Sequence, residues 1–299
     1  MGDNMKFFLL GMLLSTTSFA GISLTPMTEP WNQILKSTVA LSGGVDYVTL
    51  EKNVSSLDKF LESHRTLDVK SLSDQEKTAV YINLYNAFMM KSILAYANDQ
   101  KIAVKSDQFT QIKIADIKYK GGTIWNGNQK VNLAGVDVNL DEIEHGLIRG
   151  EGKGKLAEMK VGILDPRIHS AVNCAALSCP RVREIAYAPE NLNDMLDSNM
   201  KEYLNSSSQF KKISEAKLEA NSIVLWYYSD FDSYAQKTLK IAGAGDYLAK
   251  FIDTTRPDSA WMKSHLQKNF NDRSKTALRL SSAFSFNYNW LINDKRNKK

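Results

Sequence analysis

The segment from Thr78 to Ala97 constrains the fold most, because apolar residues cover nearly every side of the helix that it predicts. A helix of this kind is stable only where other elements surround it, so it predicts a buried core helix. Before it, Ser73 and Glu76 have the spacing of a capping box, in which each side chain bonds the backbone N–H of the other residue. The sequence therefore predicts a long helix that begins after Ser73 and lies at the centre of a domain.

Asn83 and Asn86 lie three residues apart on this helix, so they share one face. A buried amide without hydrogen-bond partners costs roughly 1–3 kcal/mol, so both side chains must be satisfied inside the fold. In one interpretation they pin the backbone of a neighbouring loop, which is the usual arrangement of buried polar groups. In the other they line a polar cavity, where Asn83 polarises a carbonyl during catalysis and Asn86 binds the substrate.

The segment from Asp165 to Arg183 concentrates reactive and cationic side chains, and we predict that it is the centre of a site. Residues Ile168 to Asn173 predict a buried strand, whose alternation would place His169 and Cys174 on opposite faces. His169 is therefore not expected to activate Cys174. The segment holds both cysteines of the chain, one histidine and three arginines: Cys174, Cys179, His169, Arg167, Arg181 and Arg183.

His145 lies on a short predicted helix that Asn139 can cap, with Glu142 at the capping-box position. Glu142 precedes His145 by three residues and Arg149 follows it by four, so the three side chains share a face. A carboxylate beside a histidine orients the ring and makes it more basic, so His145 is the predicted partner of Cys174. The alternative is an ordinary surface helix with salt bridges, which contribute little to stability.

Strand signals lie on both sides of this central segment. Residues 131–138 alternate apolar and polar side chains around Gly135, which predicts a hairpin or a half-buried strand. Residues 213–224 predict a second hairpin that turns near Ala220, and residues 284–291 predict an aromatic strand that joins the sheet. We therefore predict an α+β fold with a central, mainly antiparallel sheet, a buried core helix and surrounding helices, broadly like the layout of papain-like enzymes by analogy.

Residues 1–20 have the pattern of a secretory signal peptide. Lys6 precedes an apolar run over residues 7–14, and small residues before the next segment predict cleavage after Ala20. The run is shorter than the roughly 20 residues that span a bilayer, so we expect no stable membrane span after cleavage. The predicted protein is periplasmic or secreted, with a helical lead-in over 21–72, a single α+β domain over 73–294 and a basic tail over 295–299.

The 299 residues carry a net charge of +5, but the lysines and arginines are scattered among acidic residues. No basic block with interleaved aromatics occurs, which argues against nucleic acid as a partner. Export would favour a bond between the cysteines, because two cysteines in an oxidising compartment form a disulfide by default. The sequence leaves open whether Cys174 and Cys179 are bonded or free. The cysteines and histidines match no standard zinc spacing, so neither a metal nor another cofactor is predicted.

Four segments, taken in order, resemble the domain of unknown function 547 family: Tyr81–Phe88, Leu140–Arg149, Asp165–Pro180 and Tyr288–Leu291. The resemblance extends roughly from Gln75 to Asn293. It departs at Asn289, where the family more usually carries aspartate. The family has no established function, so the resemblance implies no activity. It does imply that ten residues occupy motif positions of the family: Asn83, Asn86, Glu142, Glu144, His145, Arg149, His169, Asn173, Cys174 and Cys179.

The first functional hypothesis is an exported cysteine-dependent hydrolase or acyl transferase that acts on a peptide or amide substrate. Cys174 is its nucleophile, and backbone N–H groups stabilise the oxyanion. His145 is the general base, oriented by Glu142 or Glu144, and nearby cations favour the thiolate. Five further residues bind the substrate or its anionic group: Asn86, Arg149, His169, Arg181 and Arg183.

The second hypothesis is a non-enzymatic periplasmic binding or interaction module. A Cys174–Cys179 disulfide would fix a loop, and the arginine and asparagine side chains would form a surface for a partner or an anionic ligand. The two hypotheses differ in the state of the thiols, because a chain with only two cysteines cannot have a structural disulfide and a free nucleophile together.

Overall fold

The computed structural model describes residues 24–298, and within this range helix predominates over strand. The fold is mixed, as the α+β prediction requires. The predicted signal peptide and its cleavage after Ala20 lie outside the described residues. No helix in the described range is long and apolar enough to cross a bilayer.

Three short helices precede the core helix, and they belong to the same hydrophobic core. Asp46 caps the second of them by accepting a hydrogen bond from the Thr49 N–H at 3.1 Å. Trp31 stacks on Phe60 with ring centroids 5.1 Å apart, which joins the first helix to the third. The residues predicted as a lead-in are therefore packed into the main core. The helices are α1 (Thr25–Thr38), α2 (Tyr47–Lys52) and α3 (Val54–Glu62).

The predicted core helix is α4 (Asp74–Asp99), and its capping box is confirmed. The Ser73 hydroxyl accepts from the Glu76 N–H at 3.3 Å, and the Glu76 carboxylate accepts from the Ser73 N–H at 2.8 Å. Every residue from 78 to 90 is buried, so the helix is surrounded on all sides. Because a helix rather than a sheet occupies this centre, the other elements are arranged around it.

The predicted central, mainly antiparallel sheet is wrong, because the strands of residues 24–298 are two to five residues long and form three small sheets. The hairpin around Gly135 is confirmed, and Ala134 and Gly135 adopt φ of 52° and 79° in its two-residue turn. The second hairpin turns at residues 215–216 and not near Ala220. The predicted closing strand joins this hairpin in parallel. The strands are β1 (Lys118–Tyr119), β2 (Gly122–Thr123), β3 (Val131–Leu133), β4 (Val136–Val138), β5 (Phe210–Ser214), β6 (Lys217–Asn221) and β7 (Phe284–Asn287).

Two hydrophobic clusters form the interior of the described chain. The first surrounds α4, and the second lies among the C-terminal helices and the β5–β6–β7 sheet. Tyr288, just after β7, packs against both clusters, so the seam between them lies beside the end of that strand. The remaining helices are α5 (Asp107–Thr110), α6 (Leu192–Asn205), α7 (Ile223–Trp226), α8 (Tyr228–Lys237), α9 (Ala244–Ala249), α10 (Ser259–Phe270) and α11 (Lys275–Leu280).

His64, in the 3₁₀ helix Ser63–Thr66, is a buried titratable group of the first cluster and is 1% exposed. Its Nδ1 lies 2.9 Å from the Phe60 carbonyl oxygen. Burial lowers the pKa of His64 to about 4, although backbone hydrogen bonds oppose the shift. An unfolded chain binds this proton near pH 6.5. The folded state therefore binds fewer protons than the unfolded state between these two values.

We expect the stability that His64 contributes to be fully present above about pH 6.5 and to fall by about 3 kcal/mol as the pH drops to about 4. The His64→Gln variant, which cannot titrate, should lack this part of the decline. Denaturant unfolding of both proteins at several pH values between 7 and 4.5 measures the difference. Parallel pH dependences for the two proteins would contradict the expectation.

Candidate functional site

The helical turn Glu142–Ile148 positions the first group of site residues. The Asn139 side chain accepts from the Glu142 N–H at 2.8 Å, and the Glu142 carboxylate accepts from the Asn139 N–H at 2.8 Å, which confirms the predicted capping box. The turn is a wide π-helix, in which the Arg149 N–H bonds the Glu144 carbonyl five residues back at 2.9 Å. Widened turns of this kind occur frequently at functional sites.

The predicted strand over residues 168–173 is wrong, because Pro166–Ser170 forms a 3₁₀ helix. Asp165 caps this helix by accepting from the N–H two residues on at 3.0 Å, and proline at the first position supplies a suitable φ. An irregular loop follows. The alternation that was expected to separate His169 from Cys174 therefore does not exist, and both residues line one cavity.

Asn83 and Asn86 hold loop backbone, which is the first of their two predicted interpretations. Asn83 donates to the Tyr187 carbonyl at 2.7 Å and accepts from the Tyr187 N–H at 3.0 Å. Asn86 donates to the Ala171 carbonyl at 3.0 Å and accepts from the Asn173 N–H at 2.8 Å. The nitrogen and the oxygen of each amide thus both bond loop backbone. Neither asparagine lines the cavity that holds Cys174.

This cavity, with a volume of about 200 Å³, lies where the π-helical turn, the loop after His169 and the end of the chain meet. It brings Cys174 together with His145, Glu144 and His169. Among residues 24–298, no three acidic, histidine or cysteine side chains are placed to hold a metal ion. The cavity is therefore an aromatic-walled pocket with a few polar groups. Its six rings belong to Tyr85, Trp125, Trp226, Tyr227, Tyr288 and Trp290.

Asp230 in α8 organises one side of the pocket, although nothing in the sequence singled it out. It accepts from His169 Nε2 at 2.8 Å and from the Arg149 guanidinium through two bonds of 2.7 and 2.9 Å. Burial alone would raise the pKa of Asp230, but the hydrogen bonds from His169 and Arg149 and the positive charge of Arg149 hold it well below its usual value. The carboxylate is therefore ionised and charge-paired inside the protein.

The arrangement at His169 leaves one ring nitrogen free. Its Nε2 carries the hydrogen, because the Asp230 carboxylate is an acceptor. Burial lowers the pKa of His169, although Asp230 opposes the shift, so the ring is neutral near pH 7. Its Nδ1 is buried and has no hydrogen-bond partner among the described residues. The ring stacks on Tyr227 with centroids 3.7 Å apart, which fixes its orientation.

His145 differs from His169 in which nitrogen is available. The Arg149 guanidinium lies 2.8 Å from His145 Nδ1, and a guanidinium can only donate. Nδ1 is therefore the acceptor, and Nε2 carries the hydrogen in the neutral ring. Arg149 orients His145, rather than the predicted Glu142 or Glu144. Nε2 lies 4.0 Å from Asp141.

The two predicted orienting carboxylates have other partners. Glu142 accepts from Lys130 at 2.6 Å at the surface. Glu144 is 6% exposed and accepts from the Tyr227 hydroxyl. Burial, reinforced by the charge of Glu144, raises the pKa of Tyr227 and of Tyr85 well above the usual value, so both phenols stay protonated. Glu144 therefore stands as a buried acceptor in the pocket wall.

Cys174 and Cys179 are joined by a disulfide in the structure. Cys174 is partly exposed toward the pocket, whereas Cys179 is 2% exposed. The Tyr288 hydroxyl lies 3.0 Å from each sulfur, and the Cys174 N–H donates to the Cys179 sulfur at 3.0 Å. Cys174, the predicted nucleophile, is thus the more exposed of the two cysteines.

Arg181 and Arg183 do not line this pocket, although they were predicted to bind the substrate with Arg149. They face a second cavity on the other side of the disulfide, which Cys179 also lines. Among the residues that escaped the prediction of the site are Asp230, which bonds His169, and the pocket-lining Tyr227 and Tyr288. No local sequence pattern marks Asp230 or Tyr227 as a site residue. Tyr288 belongs to the closing segment that resembles the family, so the sequence could have indicated it.

Comparison with known proteins identifies a family model that part of the chain matches. A family model described as "Protein of unknown function, DUF547" matches residues 69–204. The match confirms, over residues 69–204, the resemblance to this family seen in the sequence. The matched range holds the core helix, the π-helical turn and both cysteines, and it ends before Asp230 and Tyr288. No curated protein and no solved structure matches the chain.

Proposed function

We propose that this protein is an exported cysteine-dependent hydrolase or acyl transferase for peptide or amide substrates, active in its reduced form. One observation carries the proposal: Cys174 lines the same small cavity as His169, whose Nδ1 has no hydrogen-bond partner among the described residues. A nucleophilic thiol needs a base whose ring is oriented by a third group, and Asp230 supplies that orientation. Export is inferred from the signal-peptide pattern of residues 1–20. Catalysis is not inferred from the analogy with papain-like enzymes.

The reaction begins when a dithiol reductant opens the disulfide, gives two electrons and two protons to the sulfurs, and itself becomes a disulfide. The Cys174 thiol passes its proton to His169 Nδ1, and the sulfur attacks the substrate carbonyl carbon. The proton then moves to the leaving nitrogen, which gives a thioester and a free amine. Water attacks the thioester and loses a proton to His169; the C–S bond breaks, the acid leaves, and the proton passes from His169 to the Cys174 sulfur. An amine in place of water gives acyl transfer.

His145 takes a different role from the one its sequence context predicted. Its Nδ1 is occupied by Arg149, so its Nε2–H is a donor and not a base. A donor in the pocket stabilises the negative charge that develops on the carbonyl oxygen. The base role passes to His169 because that ring alone of the two has a free lone pair.

The closed disulfide supports a second candidate, a binding module without catalysis. Tyr288 contacts both sulfurs, and the bond fixes the loop that forms one wall of the aromatic pocket. In this alternative the pocket binds a small group, and the bond is structural. The two candidates differ in what reduction does.

We expect reduction with dithiothreitol to create an esterase activity toward p-nitrophenyl acetate that is absent from the oxidised protein. Cys174 should then react with iodoacetamide faster than Cys179, because it is the more exposed of the two residues and lines the same cavity as His169. Intact mass and peptide mass spectrometry identify the modified residue, and release of p-nitrophenol gives the rate.

The Cys174→Ala variant is expected to lose the esterase activity of the reduced protein. The Cys179→Ala variant should show this activity without reductant, because its Cys174 thiol cannot form the disulfide. Cys179→Ala is a matched control, since it also removes the disulfide. If both variants, folded by circular dichroism, match the oxidised protein in rate, nucleophilic catalysis is ruled out and the binding module stands.

A further inference from the structure

The second cavity, lined by residues of the loop after Cys179, α6 and the end of the chain, has a volume of about 440 Å³. Its cations are Arg181, Arg183 and Lys298. The one acidic side chain in its lining is Glu202, which is 45% exposed and pairs with Arg183 at 3.0 Å. Three cations therefore face one solvated carboxylate in a partly enclosed space.

Several donors in this cavity have no partner. Among residues 24–298, five buried side-chain polar atoms lack a hydrogen bond, and three of them belong to residues that line this one cavity. They are Arg181 Nε, Arg183 Nη2 and the Tyr203 hydroxyl. Tyr203 is 4% exposed, and burial raises its pKa well above the usual value, so its hydroxyl remains a donor. Buried donors are normally satisfied, so this concentration indicates a missing acceptor.

The other contacts of the arginines do not use these atoms. Arg181 bonds Glu184 at 2.8 Å through a terminal nitrogen, and Arg183 bonds Asn199 through Nε. Lys298 reaches the Cys179 carbonyl only at 3.5 Å, and burial together with the charge of Arg181 lowers its pKa to about 8. Arg181 pairs with Glu184 and, at 3.5 Å, with the same Glu202 that pairs with Arg183. A bound anion would therefore add negative charge where three cations meet only two partly exposed carboxylates.

We propose that this cavity binds an oxyanion, a phosphate group that is either free or carried by a polar molecule. Phosphate has about two negative charges near pH 7 and several acceptor oxygens, which matches a surplus of cations and donors from four side chains. The remaining lining is rich in hydroxyl and amide groups, which suits a polar body attached to the phosphate. The site is separate from the aromatic pocket and does not depend on the function proposed for it.

Calorimetric titration of the full chain with inorganic phosphate, glycerol 3-phosphate and glycerol tests the proposal. We expect both phosphates to bind and glycerol not to bind. Tighter binding of glycerol 3-phosphate identifies a phosphate ester as the ligand, whereas equal binding identifies free phosphate. Absence of binding by either phosphate would overturn the proposal.

Variants locate the binding. Arg183→Gln should weaken phosphate binding roughly tenfold to a hundredfold, since it removes a charge-assisted donor. Tyr203→Phe removes only the unpartnered hydroxyl and keeps the ring, so a several-fold loss there cannot come from misfolding. Arg65→Gln is the matched control, because Arg65 lies on the surface with Glu62 and should bind as wild type does. Unchanged affinity in both cavity variants would show that phosphate binds elsewhere.

Discussion

Replacing Asp230 with alanine is expected to lower the free energy of unfolding by about 3–5 kcal/mol, because removal of one partner leaves buried charge uncompensated. Asp230 is 8% exposed and accepts three hydrogen bonds, two from Arg149 and one from His169. The Arg149 side chain is only 12% exposed, so water cannot replace the lost carboxylate fully. Denaturant unfolding at pH 7, followed by circular dichroism, measures the change.

Asp58→Ala provides the matched control for this variant. Asp58 pairs with Lys91 at 2.7 Å, but its side chain is 52% exposed, so its removal should cost less than about 1 kcal/mol. If Asp230→Ala lost no more stability than Asp58→Ala, the buried network would not hold the pocket in place.

The pH dependence of the Asp230 effect has a defined sign. The pKa of Asp230 is depressed in the folded protein, so its stabilising contribution is fully present above about pH 3.9, the unfolded value. It is lost as the pH falls below that value toward the folded pKa. The gap between wild type and Asp230→Ala should therefore be constant from pH 5 to pH 8 and narrow below pH 4.

The second large effect concerns Asp230→Asn, which keeps the size of the side chain but removes its charge. On the function proposed above, kcat/KM of the reduced protein for p-nitrophenyl acetate should fall by about 10²–10⁴, because the asparagine no longer favours the His169 tautomer with a free Nδ1. Asp230 raises the pKa of His169, so its loss should also move the acidic limb of the pH–rate profile to lower pH.

The pH shift separates a positioning role from a structural one, because simple loss of stability lowers the rate without moving the limb. Asp58→Asn makes the same chemical change at the surface and should leave rate and profile unchanged. Comparison of His169→Gln with His145→Gln decides which ring is the base. A larger loss in His145→Gln would return that role to His145, as the sequence alone had suggested.

The parts of the fold that the sequence predicts are those fixed by local interactions. Ser73 and Glu76 bond each other's backbone within one turn, so the start of α4 is readable from four residues. The turn at Gly135 is likewise local, because it needs residues with positive φ. The packing of apolar residues on every side of α4 predicts its burial, but it does not predict what surrounds it. That is why the expected central sheet proved to be three small ones.

The candidate site was predicted where motif residues are close in sequence and missed where they are distant. The pairing of His169 with Asp230 joins residues 61 positions apart, and no periodicity links them. The apolar and β-branched residues near Ile168 predicted a strand, but Asp165 and Pro166 favour a helical turn in the same place. A wrong strand assignment changes the predicted directions of the side chains. It therefore placed His169 and Cys174 on opposite faces, although both residues line one cavity.

Cys179 lines both cavities, so the short loop between the two cysteines is a common wall. A ligand on one side can therefore bias the conformations of the wall that a ligand on the other side encounters. Thermodynamic linkage requires such an influence to be reciprocal, with the same coupling free energy in either direction. Opening the disulfide would loosen the wall on both faces at once. If both cavities bind ligands as proposed, the oxidation state of one pair of sulfurs would be a single variable that affects both.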